Sequence, residues 1–326
     1  MLNFRGFWGI NLFSSLGKRV SFDNPPPKSP SAREGEFLEA KILPLAFHPF
    51  DFRYTYYSDK QGFLRRSCYD TMLHFVNGEN LGLCFPKTCL NSRFDYGLVI
   101  NTLADRALGG AKTGSETCIA PLYIYKHEQS LEKQEAVPNF TREFAEFKGA
   151  SELLRGKSPE QILAYIYARL YAPRYRERYL EYLKIGFPRV NFSVSAAEFD
   201  AFERLGQRLL RLHLGREGAP NGGIGLEFRQ NADKNNTNFV LEKMSEKARF
   251  VDDAIILNRD LQVLGVSEGV WGYSIGGYLV LKQWLKYRVG KALSQNELEH
   301  FVEIARILKE TIALQSELNG LGERFE

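Results

Sequence analysis

Ser158-Pro159-Glu160-Gln161-Ile162-Leu163-Ala164-Tyr165-Ile166-Tyr167 marks the point where one kind of pattern in this sequence gives way to another. Ser158 suits an N-cap, Pro159 sits at the first helical position, where its missing N–H costs nothing, and Ile162, Leu163, Tyr165, Ile166 and Leu170 supply an apolar face. A helix therefore starts here. Pro173 interrupts it, and a second helix is expected over 175–183, ending near Gly186-Phe187-Pro188. Ser195 and Glu198 have capping-box spacing ahead of Phe199, Phe202, Leu205, Leu209, Leu210 and Leu212, the clearest helix start in the chain. Residues 254–257 and 261–266 read as strands joined by Asn258-Arg259-Asp260, a hairpin. Helices are then expected over 276–289 and 294–318, the latter opened by Ser294 and Glu297.

Upstream the pattern is different. Apolar bursts at 42–47, 81–85, 96–100 and 119–125 are each of strand length, and between 66 and 76 the spacing of Tyr69, Met72, Leu73 and Val76 favours a short helix. The first 35 residues contain Asp23-Asn24-Pro25-Pro26-Pro27-Lys28-Ser29-Pro30, which suits neither a helix nor a central strand. The expected class is α+β (mixed α/β). A tail or linker over 1–35 leads into a β-rich layer over 36–150, and a mainly helical part with a small hairpin occupies 151–326. No internal repeat or heptad array is present.

With 44% hydrophobic and 13% aromatic residues in 326, the chain can bury a substantial core. The formal charge of +4 is modest, so any basic surface must be local. Four cysteines, Cys68, Cys84, Cys89 and Cys118, lack zinc-site spacing and are too sparse to staple the fold, which favours reduced thiols in the cytoplasm. No apolar run reaches the roughly twenty residues that span a bilayer, and no signal-peptide order is present.

Catalytic motifs are missing. Asn221-Gly222-Gly223-Ile224-Gly225 lacks the strand before and helix after that cradle a phosphate, and reads as a flexible turn. Gly276-Gly277 reads as close packing at the start of a helix. Asp23-Asn24-Pro25-Pro26 resembles the Asn-Pro-Pro-aromatic loop of adenine methyltransferases, but Pro27 stands at the aromatic position and offers no π-face for a flipped base. His48, His74, His127, His213 and His300 show no metal-ligand spacing.

Three segments taken together carry a family resemblance. The first is Pro49-Phe50-Asp51-Phe52-Arg53-Tyr54-Thr55-Tyr56-Tyr57. The second is the 158–167 stretch quoted above with Tyr175-Arg176-Glu177-Arg178-Tyr179 and Phe187-Pro188-Arg189. The third is Trp271-Gly272-Tyr273-Ser274-Ile275-Gly276-Gly277-Tyr278 with Leu281-Lys282-Gln283-Trp284-Leu285-Lys286-Tyr287-Arg288. Their order and spacing over residues 41–293 resemble the C-terminal specificity domain of type ISP restriction-modification enzymes and related type IIG fusions. In such enzymes a nuclease, a helicase-like motor and an adenine methyltransferase precede this domain. The resemblance therefore implies a fragment or subunit that reads duplex DNA for methyltransferase and nuclease portions outside it. It implies no catalytic residue, cofactor or metal in this chain, with S-adenosylmethionine in the parent enzyme and Mg and ATP as further candidates there.

The candidate DNA-contacting residues are Arg53, Arg65, Arg66, Arg174, Arg176, Arg178, Lys184, Arg189, Lys282, Lys286 and Arg288. Asp51 and Arg53 fall on one strand face and Phe50, Phe52, Tyr54 and Tyr56 on the other, so the charges form a structural pair or meet DNA. Arg65 and Arg66 precede the short helix, where phosphates are often bound. In 169–189 basic residues alternate with tyrosines, fitting either a phosphate surface or an exposed helix paired through Glu177 and Glu181. Trp271, Tyr273, Tyr278 and Trp284 read as core, leaving Lys282, Lys286 and Arg288 on a wet face. The stretch 215–238 offers Arg216, Arg229, Gln230, Asn231 and Asn235 but has the composition of a disordered insertion. The competing function is a non-catalytic remnant that docks to a protein partner without specific DNA binding.

Overall fold

The structure, a computed structural model, describes residues 42–57, 69–76, 78–86, 89, 91–109, 117–125, 136–230, 232 and 239–325. The tail segment around Asp23-Asn24-Pro25-Pro26, Cys68, Arg65, Arg66, Asn231 and Asn235 lie outside them.

The first layer holds β1 (Ile42–His48), β2 (Asp51–Tyr56), α1 (Tyr69–Val76), β3 (Gly82–Pro86), β4 (Leu98–Ile100), β5 (Leu103–Ala104), β6 (Thr117–Pro121), β7 (Tyr123–Tyr125) and β8 (Ala136–Pro138). They form sheets ordered β2-β1-β5 and β4-β3-β6 and a β7-β8 ribbon. The apolar burst at 119–125 is thus two strands in different sheets. They part at Leu122, whose N–H donates to the Leu81 carbonyl at 2.7 Å. β1 and β2 pair antiparallel and close through Pro49 and Phe50, with His48 opposite Asp51. Phe50 takes a φ of 60°, a left-handed conformation that costs an L-residue about 1–2 kcal/mol. The turn holds because the Phe50 ring is buried edge-on against His213, 5.5 Å between centroids, and His300 Nε2 donates to the Phe50 carbonyl at 2.7 Å.

Helices α2 (Arg142–Ala150), α3 (Pro159–Tyr171), α4 (Pro173–Arg178), α5 (Leu180–Ile185) and α6 (Ala196–His213) follow. Ser158 and Gln161 close a full capping box on α3, with Pro159 in its first turn. The helix expected over 175–183 is two short ones separated at Tyr179 (φ −109°, ψ 16°). Ser195 accepts the Glu198 N–H at 3.1 Å, but the expected box stays half-made because the Glu198 carboxylate pairs with the buried Arg169 guanidinium at 3.2 Å. α3 and α6 cross with backbone nearly touching at Gly206, where a Cβ would lie 1.9 Å from the Ala164 carbonyl oxygen.

The remainder comprises β9 (Gly225–Phe228), β10 (Phe239–Val240), α7 (Glu246–Arg249), β11 (Phe250–Val251), β12 (Ala254–Ile256), β13 (Leu261–Leu264), α8 (Glu268–Trp271), β14 (Ser274–Ile275), β15 (Tyr278–Leu279), α9 (Val280–Lys286), β16 (Ala292–Leu293) and α10 (Gln295–Phe325). The expected hairpin is the inner pair of a sheet ordered β11-β12-β13-β9. Its loop is shaped by Asn258, whose Oδ1 accepts the N–H groups of Asp260 and Leu261 at 2.9 and 2.8 Å. Two expectations are corrected here. The stretch 215–238 is not wholly a loop, because 225–228 pairs with β13 as β9. Gly276-Gly277 does not open a helix; with φ of 64° and 78° it is the two-residue turn of the β14–β15 hairpin, and α9 starts at Val280. The close packing expected there is present, since a Cβ on Gly276 would lie 2.4 Å from the Tyr96 ring.

One apolar core runs through both layers, from Ala46 to Leu318, and Trp271, Tyr278 and Trp284 belong to it. A polar chain crosses it. The Tyr167 hydroxyl donates to His213 Nδ1 at 2.7 Å, His213 Nε2 donates to Thr311 Oγ1 at 2.8 Å, and Thr311 donates to the Ile307 carbonyl at 2.7 Å. Burial pushes His213 down to about 3 from its ordinary 6.5, and Arg176 adds to this. The unfolded chain takes up that proton below about pH 6.5 and the folded one does not, so stability falls as pH drops from 6.5 toward 3. The slope approaches ~1.4 kcal/mol per pH unit from this residue. Urea midpoints of the wild type and His213→Gln, compared from pH 7 to 4, should differ in slope; parallel curves would show that His213 is protonated in the fold.

Candidate nucleic-acid interface

The first and third quoted segments meet at one place. Asp51, at the start of β2, is buried, and the Arg288 guanidinium just past α9 grips its carboxylate through Nη2–Oδ1 at 2.8 Å and Nη1–Oδ2 at 3.3 Å. Arg288 also lies 3.8 Å over the Trp284 ring and 3.6 Å from Glu297. Its side chain is only 14% exposed, so it joins the two layers. His48 stacks between Tyr278 and Tyr287, at 4.5 and 5.4 Å, and burial lowers its pKa against the pull of Asp51 and Asp105. Arg53 stands on the outer side of this joint. Its guanidinium is 4.0 Å from the centre of the Phe47 ring and 3.8 Å from Asp51, with 45% of the side chain exposed. Lys286 is exposed nearby in sequence and has no ion pair among the described residues, whereas Lys282 is bonded to Glu246 and lies 5.3 Å from the Trp271 ring.

The expected division of β2 into a charged and an aromatic face needs correction at Phe50, which sits in the turn and not on the strand. Phe52 and Tyr54 do share a face, but they are 50% and 78% exposed, and β2 is the outer strand of its sheet.

The 169–189 region forms a second surface. Tyr171 and Tyr175 are buried, donating to the carbonyls of Gly97 at 2.6 Å and Arg189 at 2.7 Å, while Tyr182 and Ile185 are exposed. Arg169 is buried in its Glu198 pair, Arg174 lies 3.7 Å from Glu323, and Lys184 pairs with Glu181 at 2.9 Å. Arg176 donates to the Leu170 carbonyl at 2.5 Å and packs over Tyr171, lining a 710 Å³ cleft with Arg93, Asp95 and Tyr273. Arg178 is exposed beside Tyr179, and Arg189 is exposed with no ion pair among the described residues. Arg216 is exposed, and Arg229 reaches the Asn258 carbonyl at 3.4 Å.

Sequence reasoning did not single out Phe47, which carries Arg53, or Asp95. The Asp95 carboxylate accepts from the Ser274 hydroxyl and from the Gly277 N–H at 3.1 Å, clamping the β14–β15 turn. Neither has a local sequence signal, because the partners of Asp95 lie about 180 residues away in the chain. Among the described residues no group of three or more His, Cys, Asp or Glu could hold a metal, and no helix is long and apolar enough to cross a membrane.

Residues 18–317 match the family model of the Type ISP C-terminal specificity domain. The chain belongs to that family. The match extends beyond the 41–293 span of the resemblance at both ends. This specificity domain also shares its fold with solved structures. A structure described as the ATP-dependent Type ISP restriction-modification enzyme LlaBIII bound to DNA is 19% identical, with a TM-score of 0.68 over 87% of this chain and 19% of that one. The DrdV–DNA complex is 20% identical, with a TM-score of 0.65 over 89% of this chain and 29% of that one. A nuclease-deletion mutant of the Type ISP enzyme LlaGI with a DNA substrate mimic is 20% identical, with a TM-score of 0.60 over 90% of this chain and 25% of that one. The specificity domain thus spans less than a third of the length of these structural relatives. No curated protein matches the chain.

Proposed function

We propose that this specificity domain recognises a duplex DNA sequence and positions it for adenine methylation and cleavage by other portions of a restriction-modification enzyme. The observation that carries this reading is the family match over residues 18–317. The fold shared with enzymes solved with DNA supports it. Catalysis, S-adenosylmethionine, Mg and ATP belong in this reading to those other portions, and the whole system works in the cytoplasm.

Within the candidate set, Lys286 and Arg189 are the exposed cations suited to phosphates, with Arg53 beside the joint; Arg178, exposed over the Tyr179 ring, and Arg65 and Arg66 stay in the set. Arg288, Lys282, Arg176, Arg174 and Lys184 contact protein groups and act chiefly by holding the surface in shape. Selection of bound duplexes from a randomised pool at two salt concentrations tests the reading. Enrichment of one motif that persists at the higher salt is expected, and weak motif-free binding abolished by salt would point to the protein-docking alternative. Lys286→Ala and Arg189→Ala should each weaken binding to all sequences alike and lower the slope of log affinity against log salt by about one. Anisotropy titrations over a salt series read this directly; an unchanged slope removes the residue from the phosphate surface.

A further inference from the structure

Arg53 is held differently from the other candidate cations. Its guanidinium lies 4.0 Å from the Phe47 ring centre, and Asp51 stands 3.8 Å to one side. Asp51 is fixed in turn by the two-pronged Arg288 contact. Phe47 meets Tyr287 edge-on at 6.0 Å, and the backbone below is locked by the Pro49-Phe50 turn and its His300 hydrogen bond. The guanidinium therefore lies against a ring on one side and beside a buried carboxylate on another, both of them held by the fold. Nearly half of the side chain still faces solvent on the outer strand of the sheet.

Charge separates two uses for such a group. Arg53 and Arg288 are balanced by Asp51 and Glu297, so the joint adds no net positive field. A phosphate is drawn by net positive charge and tolerates a mobile cation, as Lys286 supplies. A base edge is neutral and rewards donors whose direction is already set, since a planar fork then loses little freedom on binding. In the major groove the acceptor pair that fits an arginine fork is guanine O6 and N7.

We infer that Arg53 reads the edge of a guanine and that Phe47 and Asp51 are positioning residues for it. This inference rests on the DNA-recognition reading above. The outward N–H groups donate to the base while the inner side stays against Asp51. Phe52 and Tyr54, on the opposite strand face, are not required for the contact.

The test is the same duplex selection, run with the full chain and its variants, with folding followed by thermal midpoint. Arg53→Ala is expected to reduce the preference for guanine at one position about tenfold or more while the other positions keep theirs. Arg53→Lys, which keeps the charge but loses the fork, should retain part of that preference. Phe47→Leu should relax the same position and Phe47→Tyr, which keeps the ring, should not; a Phe47 that only supports the fold would weaken every position together. A motif unchanged by Arg53→Ala overturns the inference, as does a uniform loss with the salt slope reduced by about one. Either result leaves DNA recognition standing. A wild-type chain that enriches no motif overturns the recognition reading and this inference together.

Discussion

Gly206→Ala is expected to destabilise the domain by about 2 kcal/mol, although alanine is the better helix former. Gly206 lies within α6 where it crosses α3. The added methyl would sit 1.9 Å from the Ala164 carbonyl oxygen and 2.6 Å from its carbon. Those are backbone atoms of a helix, not the end of a flexible side chain. They yield only if the two helices separate, which would strip contacts from Tyr165, Phe199 and Phe202. Overpacking of this kind costs about 1–3 kcal/mol, against the ~1 kcal/mol that alanine returns in helix propensity, and a clash with fixed backbone falls at the upper end. Gly320→Ala in α10 is the matched control, because nothing lies within 4 Å of its Cβ. It should stabilise by about 0.5–1 kcal/mol. Urea titration of both variants reads the opposite signs. Stabilisation by both substitutions would mean that propensity, and not the crossing, governs these glycines.

The contrast between the two glycines shows what kind of information the sequence exposes. Both are glycines in helices, and only the tertiary partner distinguishes them. Features set within a few residues were readable: the Ser158 and Ser294 caps, Pro159, the Asn258 loop and the start of α6 all stand where local chemistry puts them. Features closed by distant partners were not. β9 reads as loop because it becomes a strand only by pairing with β13 across more than thirty residues. The Gly276-Gly277 turn was hidden by the apolar run of α9 directly after it, and its stabilising carboxylate, Asp95, is far away in the chain. The candidate interface divides in the same way. Residue type and spacing identified the cations, but Arg288, Lys282 and Arg174 are engaged by Asp51, Glu246 and Glu323, each far away in sequence.

Asp51→Ala is expected to cost about 3–5 kcal/mol, because it leaves the Arg288 guanidinium largely buried with the Trp284 carbonyl at 3.3 Å and, as its remaining carboxylate, the partly exposed Glu297 at 3.6 Å. Asp51 and Arg288 are 237 residues apart in sequence, so the pair closes a long loop between the first strand pair and the end of α9. Its loss should loosen the β1–β2 hairpin where Phe50 is held in a left-handed conformation that needs outside support. Arg288→Met in the Asp51→Ala background should recover part of the loss, since a buried pair can be replaced by apolar side chains far more cheaply than it can be broken. A double-mutant cycle in urea measures this coupling. Additive single effects, with no recovery in the double variant, would show that the carboxylate and guanidinium act separately. Strong coupling has a functional corollary. The carboxylate that joins the two layers is also the one beside Arg53, so a variant that restores stability without restoring Asp51 should fold and still discriminate bases poorly. Stability and specificity would then separate at a single residue, a result that folding data alone cannot produce.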